Sequence, residues 1–199
     1  MSKESDITLN YYKENANNFV SDTLSTNMHT LQGDFISMLA QKGRVLDLGC
    51  GSGRDSKYFI DKGFLVTSVD GSQELCKIAE NVINQKVICS RFEDFNTSEK
   101  YIGVWACASL LHLNKADIKS VITKISKFIV KDGVFYMSFK YGDFEGFRNG
   151  RYFTDLTEFS FSEIIKNIPN ILIEKEYITG DARVGRENEK WLNVFCKII

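Results

Sequence analysis

Between residues 44 and 140 short apolar runs alternate with amphipathic stretches. Val45, Leu46 and Leu48 make the first run, which reads as a strand buried on both faces of a parallel sheet. Gly49, Gly51 and Gly53 follow it, and a helical segment from Asp55 to Lys62 comes next. The runs Phe64–Val69, Val87–Cys89, Val104–Cys107 and Val134–Phe139 predict four further strands. Helices are expected at Gln73–Ile83 and Lys115–Val130, with a turn at Arg91–Phe95 after the third strand. Ser72 is placed to cap the first of these helices, and Lys131-Asp132-Gly133 stops the second. Strands and helices alternating at this length predict an α/β, Rossmann-like, doubly wound sheet.

The flanks carry different patterns. Before the first strand, Tyr11, Tyr12, Ala16, Phe19 and Val20 recur at near-helical spacing, as do Leu31, Phe35, Ile36, Met38 and Leu39. Two helices are therefore expected within residues 6–40, closed by Lys42-Gly43. After the fifth strand comes a long loop, then a helix at Leu156–Asn167 and strands at Ile171–Ile178 and Trp191–Ile199. The chain reads as one domain: a helical cap over 1–43, a core over 44–140, and a loop with a closing hairpin over 141–199.

The glycine turn predicts a ligand. Without Cβ the backbone can turn tightly and approach a bound molecule, and the next helix offers unpaired N–H groups and its positive dipole end. The spacing here is G-x-G-x-G, not the G-x-G-x-x-G of a dinucleotide site, and Arg54 stands where that pattern has its third glycine. Asp47, two residues before the first glycine, would repel a pyrophosphate and suits a ligand bearing an amine. Asp70 ends the second strand 70 − 49 = 21 residues beyond the first glycine, where an acid can accept both ribose hydroxyls. A nucleoside, an ammonium and no pyrophosphate describe S-adenosylmethionine.

VLDLGCGSGRD followed by SVDGS resembles motifs I and II of the class I S-adenosylmethionine-dependent methyltransferases. Specific motifs carry the resemblance over about residues 44–140, and the chain is similar to the tellurite-resistance-type, small-molecule members. It implies a sheet of about seven strands whose last strand is antiparallel and lies beside the fifth. It also implies cofactor contacts from Asp47, Gly49, Cys50, Gly51, Gly53, Asp70, Gly71 and Ser72. In SRFEDF, Phe92 would stack on adenine and Glu93 or Asp94 accept its amine, Glu93 being preferred. Cys107 falls beside the methionine part. YYKENANNF resembles a stretch that caps this end in relatives, so Tyr11 or Tyr12 would cover it, unless both pack under their helix. His112 lies in a segment resembling [AS]-x-x-L-x-H and is the candidate catalytic residue, with a structural role of equal weight. Ile102 departs from the family's usual acid at the start of the fourth strand.

Composition narrows the choices. Proline occurs once, at Pro169, so neither an N-P-P-Y tetrad nor a Pro-Cys nucleophile exists, which excludes the nucleic-acid amino- and cytosine-carbon-methyltransferases. A net charge of −1 gives no electrostatic case for nucleic acid or an anionic membrane. No apolar run approaches about 18 residues and the start of the chain is polar, so a cytoplasmic protein is expected. Five cysteines with no C-x-x-C read as free thiols, mostly buried, and two histidines build no zinc site. Lys140, Arg148, Arg151 and Arg183 around the glycine-bearing loop suggest a small anionic or oxyanion-bearing acceptor, against the bland reading of ordinary surface charge. The expected function is methyl transfer to a small molecule. The alternative is a non-catalytic cofactor-binding sensor or partner subunit, with a nicotinamide oxidoreductase a distant third.

Overall fold

A computed structural model describes residues 3–186 and 188–199. Two helices, α1 (Lys3–Thr23) and α2 (His29–Met38), precede the first strand. Then come β1 (Arg44–Leu48), α3 (Arg54–Asp61), β2 (Leu65–Asp70), α4 (Gln73–Ile83), β3 (Val87–Cys89) and β4 (Tyr101–Ala106). The second half holds α5 (Lys115–Ile125), β5 (Ile129–Lys140), β6 (Glu145–Arg148), β7 (Arg151–Thr154), α6 (Glu158–Ile165), β8 (Ile171–Gly180) and β9 (Lys190–Ile198). Seven strands form one sheet in the order β3-β2-β1-β4-β5-β9-β8, and β6 and β7 form a separate hairpin. The strands from β3 to β5 pair in parallel, while β9 runs antiparallel to both β5 and β8. The chain steps outward from β1 to β3 and then returns to place β4 on the other side of β1. That reversal opens a crevice at the carboxyl ends of β1 and β4, where an open α/β sheet takes its ligand.

Both faces of the sheet are covered, as continuous apolar strands require. On one face α5 and α6 bury Ile118, Ile122, Phe161 and Ile164 against Val104, Phe135 and Val194. On the other, α2 and α3 bury Phe35 and Phe59 against Val45, Trp105 and Tyr136. Phe35 is fully buried, with its ring 5.4 Å from that of Phe59 and 5.3 Å from that of Trp105. Gly103 makes the room: a Cβ there would lie 2.6 Å from Phe35 Cζ.

Three features of the elements differ from the sequence reading. The Lys131-Asp132-Gly133 stop lies inside β5, because the β4–β5 register shifts there and Asp132 takes a φ of 63°. The preceding helix ends at Ile125 and continues as a 3-10 turn. The loop after β5 carries the β6–β7 hairpin, closed by Asn149 and Gly150 with φ of 50° and 77°. That Asn-Gly pair is a strong hairpin signal between alternating residues. Cys89 is exposed and Cys107 half-buried, while Cys50, Cys76 and Cys196 are buried; all five are free thiols. Among the described residues no helix is long and apolar enough to cross a membrane.

α1 lies across the mouth of the crevice. Its ladder breaks at Asn15, whose side-chain amide donates to the Tyr11 carbonyl at 2.9 Å. Thr8 Oγ1 accepts from the Tyr152 N–H at 3.0 Å, and Leu9 packs over Gly71. Because Phe35 ties α2 to the sheet, Phe35→Ala is expected to cost about 3–5 kcal/mol of stability. Urea unfolding checks this; a loss below about 1 kcal/mol would show that α2 is not anchored by this ring.

Candidate functional site

At the end of β1 the chain turns sharply over β2. The N–H groups of Gly49 and Cys50 both donate to the Val69 carbonyl, at 2.8 and 3.0 Å. Gly49 and Gly53 hold φ of 84° and 81°, a region costly for residues with a Cβ. At Gly49 a Cβ would also come within 2.4 Å of Ser109 Cβ. Ser109 is held in turn by its hydroxyl donating to the Leu48 carbonyl at 2.7 Å. Asp70 closes the cradle. Its carboxylate accepts from the Gly51 N–H and the Ser72 N–H, each at 2.9 Å. Burial pushes its pKa up, and the backbone donors of Ser72, Gly51 and Gly71 oppose that. Two N–H bonds leave further lone pairs on the carboxylate for a hydroxyl-bearing ligand.

A cavity of about 450 Å³ runs from this cradle under α1 toward β9 and β8. That volume lies within the ordinary range for a small-molecule site. Gly49, Cys50, Gly51, Asp70, Gly71, Phe92, Glu93 and Cys107 all line it, as do Tyr12, His112, Lys140, Arg151 and Arg183. Arg148, paired with Asp155, falls outside the wall, as do Asp94 and four further sequence candidates. Gly53 is pressed against Ala79 and Ile83 of α4, and Ser72 caps α4 by accepting from the Leu75 N–H at 3.4 Å. Tyr11 stands on the outer side, edge-on to Tyr12. Asp47 lies behind the cradle, accepting from the Ser56 hydroxyl at 2.6 Å. Burial and the neighbouring charge of Asp55 raise its pKa, which favours its neutral form.

His112 and Tyr12 act as a pair. His112 Nδ1 is 2.7 Å from the Tyr152 carbonyl, which only accepts, so Nδ1 carries the proton. Nε2 then has only a lone pair and accepts the Tyr12 hydroxyl at 2.8 Å. Burial lowers the His112 pKa to about 4; the Tyr152 carbonyl opposes this and the charge of Arg151 adds to it. The imidazole is neutral, and its position fixes where the Tyr12 hydroxyl points. Arg151 donates to the Tyr12 oxygen at 3.4 Å and sits over the Tyr11 and Phe153 rings at 4.6 and 5.1 Å.

The far half of the cavity was less visible in the sequence. Arg54 and Asp55 line it as a bidentate pair at 2.9 and 2.7 Å. Asp55 also accepts from Trp105 Nε1 at 2.9 Å and Gln32 Nε2 at 2.7 Å. Burial would raise its pKa, but Arg54 and these donors bring it below the ordinary value. Tyr136, Ser138, Tyr177, Trp191 and Asn193 complete this end. Arg54 and Asp55 follow the third glycine directly, and that adjacency was the available signal. The others come from strands far apart in the chain, and only their pairing in the sheet joins them. Among the described residues no cluster of His, Cys, Asp and Glu suits a metal ion.

Comparisons with known proteins bear on the sequence of the core and on the fold. The sequence profile of the methyltransferase-domain family matches residues 45–133. A putative methyltransferase of Bacillus subtilis, YqeM, is 31% identical over 103 residues, which are 48% of this chain and 42% of that protein. The match therefore spans less than half the length of that relative. The structure of Burkholderia thailandensis 1,6-didemethyltoxoflavin-N1-methyltransferase superposes with a TM-score of 0.78 at 16% identity, covering 100% of this chain and 91% of that one. Magnesium protoporphyrin IX methyltransferase of Synechocystis gives 0.76 at 15% identity, covering 98% and 100%. Residues 45–133 match the methyltransferase-domain family, and the whole chain shares its fold with these two methyltransferases. None of these matches singles out the tellurite-resistance branch.

The His112 environment has a pH signature. Its folded pKa, about 4, lies below its ordinary 6.5, so the unfolded chain binds the extra proton more readily. The stability this represents is present above the unfolded pKa and is lost as pH falls through the window toward 4. Between pH 7 and pH 5 the wild type should lose about 2 kcal/mol more than His112→Gln. Urea unfolding at the two pH values measures this, and parallel losses in both proteins would refute the neutral, buried imidazole.

Proposed function

We propose that this protein transfers a methyl group from S-adenosylmethionine to a small molecule occupying the cavity beyond β4. One observation carries the reading: the Asp70 cradle and a second, side-chain-lined compartment share one cavity. The sheet order places β9 four strands from β2, or about 19 Å at ordinary strand spacing. That span holds a nucleoside and its methionine arm at one end and a second molecule at the other. The small-molecule compounds named for the structural neighbours lend the same support.

In this reading Asp70 accepts the ribose hydroxyls, Phe92 and Glu93 receive the adenine, and Gly49, Cys50 and Gly51 give the backbone its close approach. Cys107, Ala108 and Tyr12 face the methionine arm. Bound S-adenosylmethionine supplies an electrophilic methyl on a cationic sulfur, which an acceptor lone pair takes as the carbon–sulfur bond breaks. The chain's own contribution is placement and exclusion of water, which supplies much of the acceleration for an already activated donor. α1 roofs the site. His112, being neutral and tied to Tyr12, orients that hydroxyl rather than removing a proton. Polar side chains line the far compartment, which favours turnover over a binding protein whose pocket is closed or wholly apolar.

Calorimetric titration tests the assignment. Wild type should bind S-adenosylhomocysteine and not NADH. Asp70→Ala should weaken that binding by about 1.5–3 kcal/mol, the range for lost charge-assisted hydrogen bonds. Equal affinity in the variant would remove Asp70 from the site, and tighter binding of NADH would overturn the cofactor.

A further inference from the structure

One cation of the cavity stands apart from the others. Arg54, Arg91, Lys140, Arg183 and Arg186 line it, and each lies within ion-pair distance of a carboxylate. Their partners are Asp55, Asp6, Glu189, Asp181 and again Glu189. Arg151 lines the same cavity and, among the described residues, meets no carboxylate. Its hydrogen bond runs from Nη1 to the Tyr12 oxygen at 3.4 Å, long against the ordinary ~2.7–3.2 Å. Its Nε is buried and has no hydrogen-bond partner. A guanidinium carries five N–H donors, so most of this one's capacity is unspent. A buried donor left without an acceptor is costly, and an acceptor brought by a ligand removes that cost.

The fold holds this side chain in place. Arg151 opens β7 directly after the Asn149-Gly150 turn. A Cβ at Gly150 would lie 3.0 Å from Tyr11 Cδ2, so the turn is pressed against α1. The next residue is tied on both sides: the Tyr152 N–H donates to Thr8 Oγ1 at 3.0 Å, and its carbonyl accepts from His112 Nδ1 at 2.7 Å. The guanidinium sits 4.6 Å from the Tyr11 ring centre and 5.1 Å from that of Phe153. Rings hold a cation through their π faces and leave its N–H groups free. Tyr12 donates its own proton to His112, and His112 spends its proton on the Tyr152 carbonyl. Of these three neighbours, only Arg151 has donors to give. A planar, positioned guanidinium with open donors matches a carboxylate, which accepts two N–H bonds at once.

We infer that the acceptor carries a carboxylate or a like oxyanion, and that Arg151 receives it. The inference rests on the methyl-transfer reading and names the substrate class for that site. In that reading the cofactor's own carboxylate is met elsewhere. Ser52, Arg54 and Asp55, at the start of α3, line the cavity beside the glycine turn, and the first N–H groups of a helix favour an anion. Lys140 and Arg183, the other cations the sequence offered, stay with Glu189 and Asp181. An anion drawing on either would leave a carboxylate unpaired, which is costly. At Arg151 it fills vacant donors instead, in a site shielded from water, where such pairing is stronger.

The test uses the full chain saturated with S-adenosylhomocysteine and titrated with benzoate against benzamide, and with indole-3-carboxylate against indole-3-carboxamide. Ligand-observed NMR reads the affinities. Wild type should bind the carboxylate of at least one pair about tenfold tighter than its amide. In Arg151→Gln that preference should fall below about threefold, with S-adenosylhomocysteine affinity within about threefold of wild type. Amides bound as tightly as carboxylates by wild type would overturn the inference, as would a preference that survives Arg151→Gln. So would a panel in which no carboxylate binds at millimolar concentration. Loss of S-adenosylhomocysteine affinity in Arg151→Gln, with 5′-methylthioadenosine affinity kept, would assign the guanidinium to the cofactor's carboxylate and overturn it too. If that variant binds neither nucleoside, Arg151→Lys takes its place. It keeps the charge without the fork, so the preference should drop at least about threefold, and an unchanged one would overturn the inference. Failure of the methyl-transfer reading shows separately, as absence of S-adenosylhomocysteine binding to wild type before any probe is added.

Discussion

Where β1 turns into α3, Gly49 and Gly53 have no room for a side-chain carbon, and much of the molecule is arranged around that fact. Gly49 is pressed on Ser109 at the end of β4, and Gly53 on Ala79 and Ile83 of α4, with a would-be Cβ at 2.4 and 3.2 Å. The turn therefore fixes how closely β4 and α4 approach β1. It also brings the Gly51 N–H onto Asp70, which joins the end of β1 to the end of β2. The same contacts that pack the core thus shape the cradle. A substitution at Gly49 would disturb packing and ligand approach together.

Beneath this turn lie three buried carboxylates, and each is accommodated differently. Asp47 takes up a proton, its pKa raised to about 8 by burial and by the charge of Asp55. Asp55 stays charged because Arg54 lies against it and Trp105 and Gln32 donate to it. Asp70 is pushed up by burial and steadied by backbone N–H groups alone. Asp55 and Asp70 both line the cavity, but Asp55 is taken up by Arg54, Trp105 and Gln32, whereas Asp70 accepts only backbone N–H groups and keeps lone pairs for a ligand. Three like charges at such separations would strain the fold; one neutral acid and one ion pair relieve that repulsion.

The alternating strands and helices, the glycine turn and Asp70 were legible because each depends on local chemistry: short apolar runs, backbone freedom, a fixed crossover length. Asp47 shows the limit of such reasoning. Its position in the motif was read as an acid facing the ligand, yet strand alternation and Ser56 turn it behind the cradle. The β6–β7 hairpin carried its signal in Asn149-Gly150, hidden within a stretch read as a long loop. Lys131-Asp132-Gly133 had the composition of a helix stop, but a register shift between β4 and β5 absorbs it as a bulge.

The two halves of the cavity differ in how their properties arise. The cradle half is built around backbone groups of the glycine turn and the Asp70 carboxylate, from Gly49 to Ser72, so a motif can encode it. The far half is built from side chains of α2, α3, β5, β8 and β9, and its charge depends on which cation meets which carboxylate. Counting lysines and arginines along the chain suggested an open positive site. The pairings of Arg183 with Asp181, Lys140 with Glu189 and Arg54 with Asp55 set most of that charge against carboxylates, whereas Arg151 lines the cavity without one. The glycine turn and Asp70 could be read from sequence spacing, whereas the charge facing the far half depends on pairings that only the fold brings about.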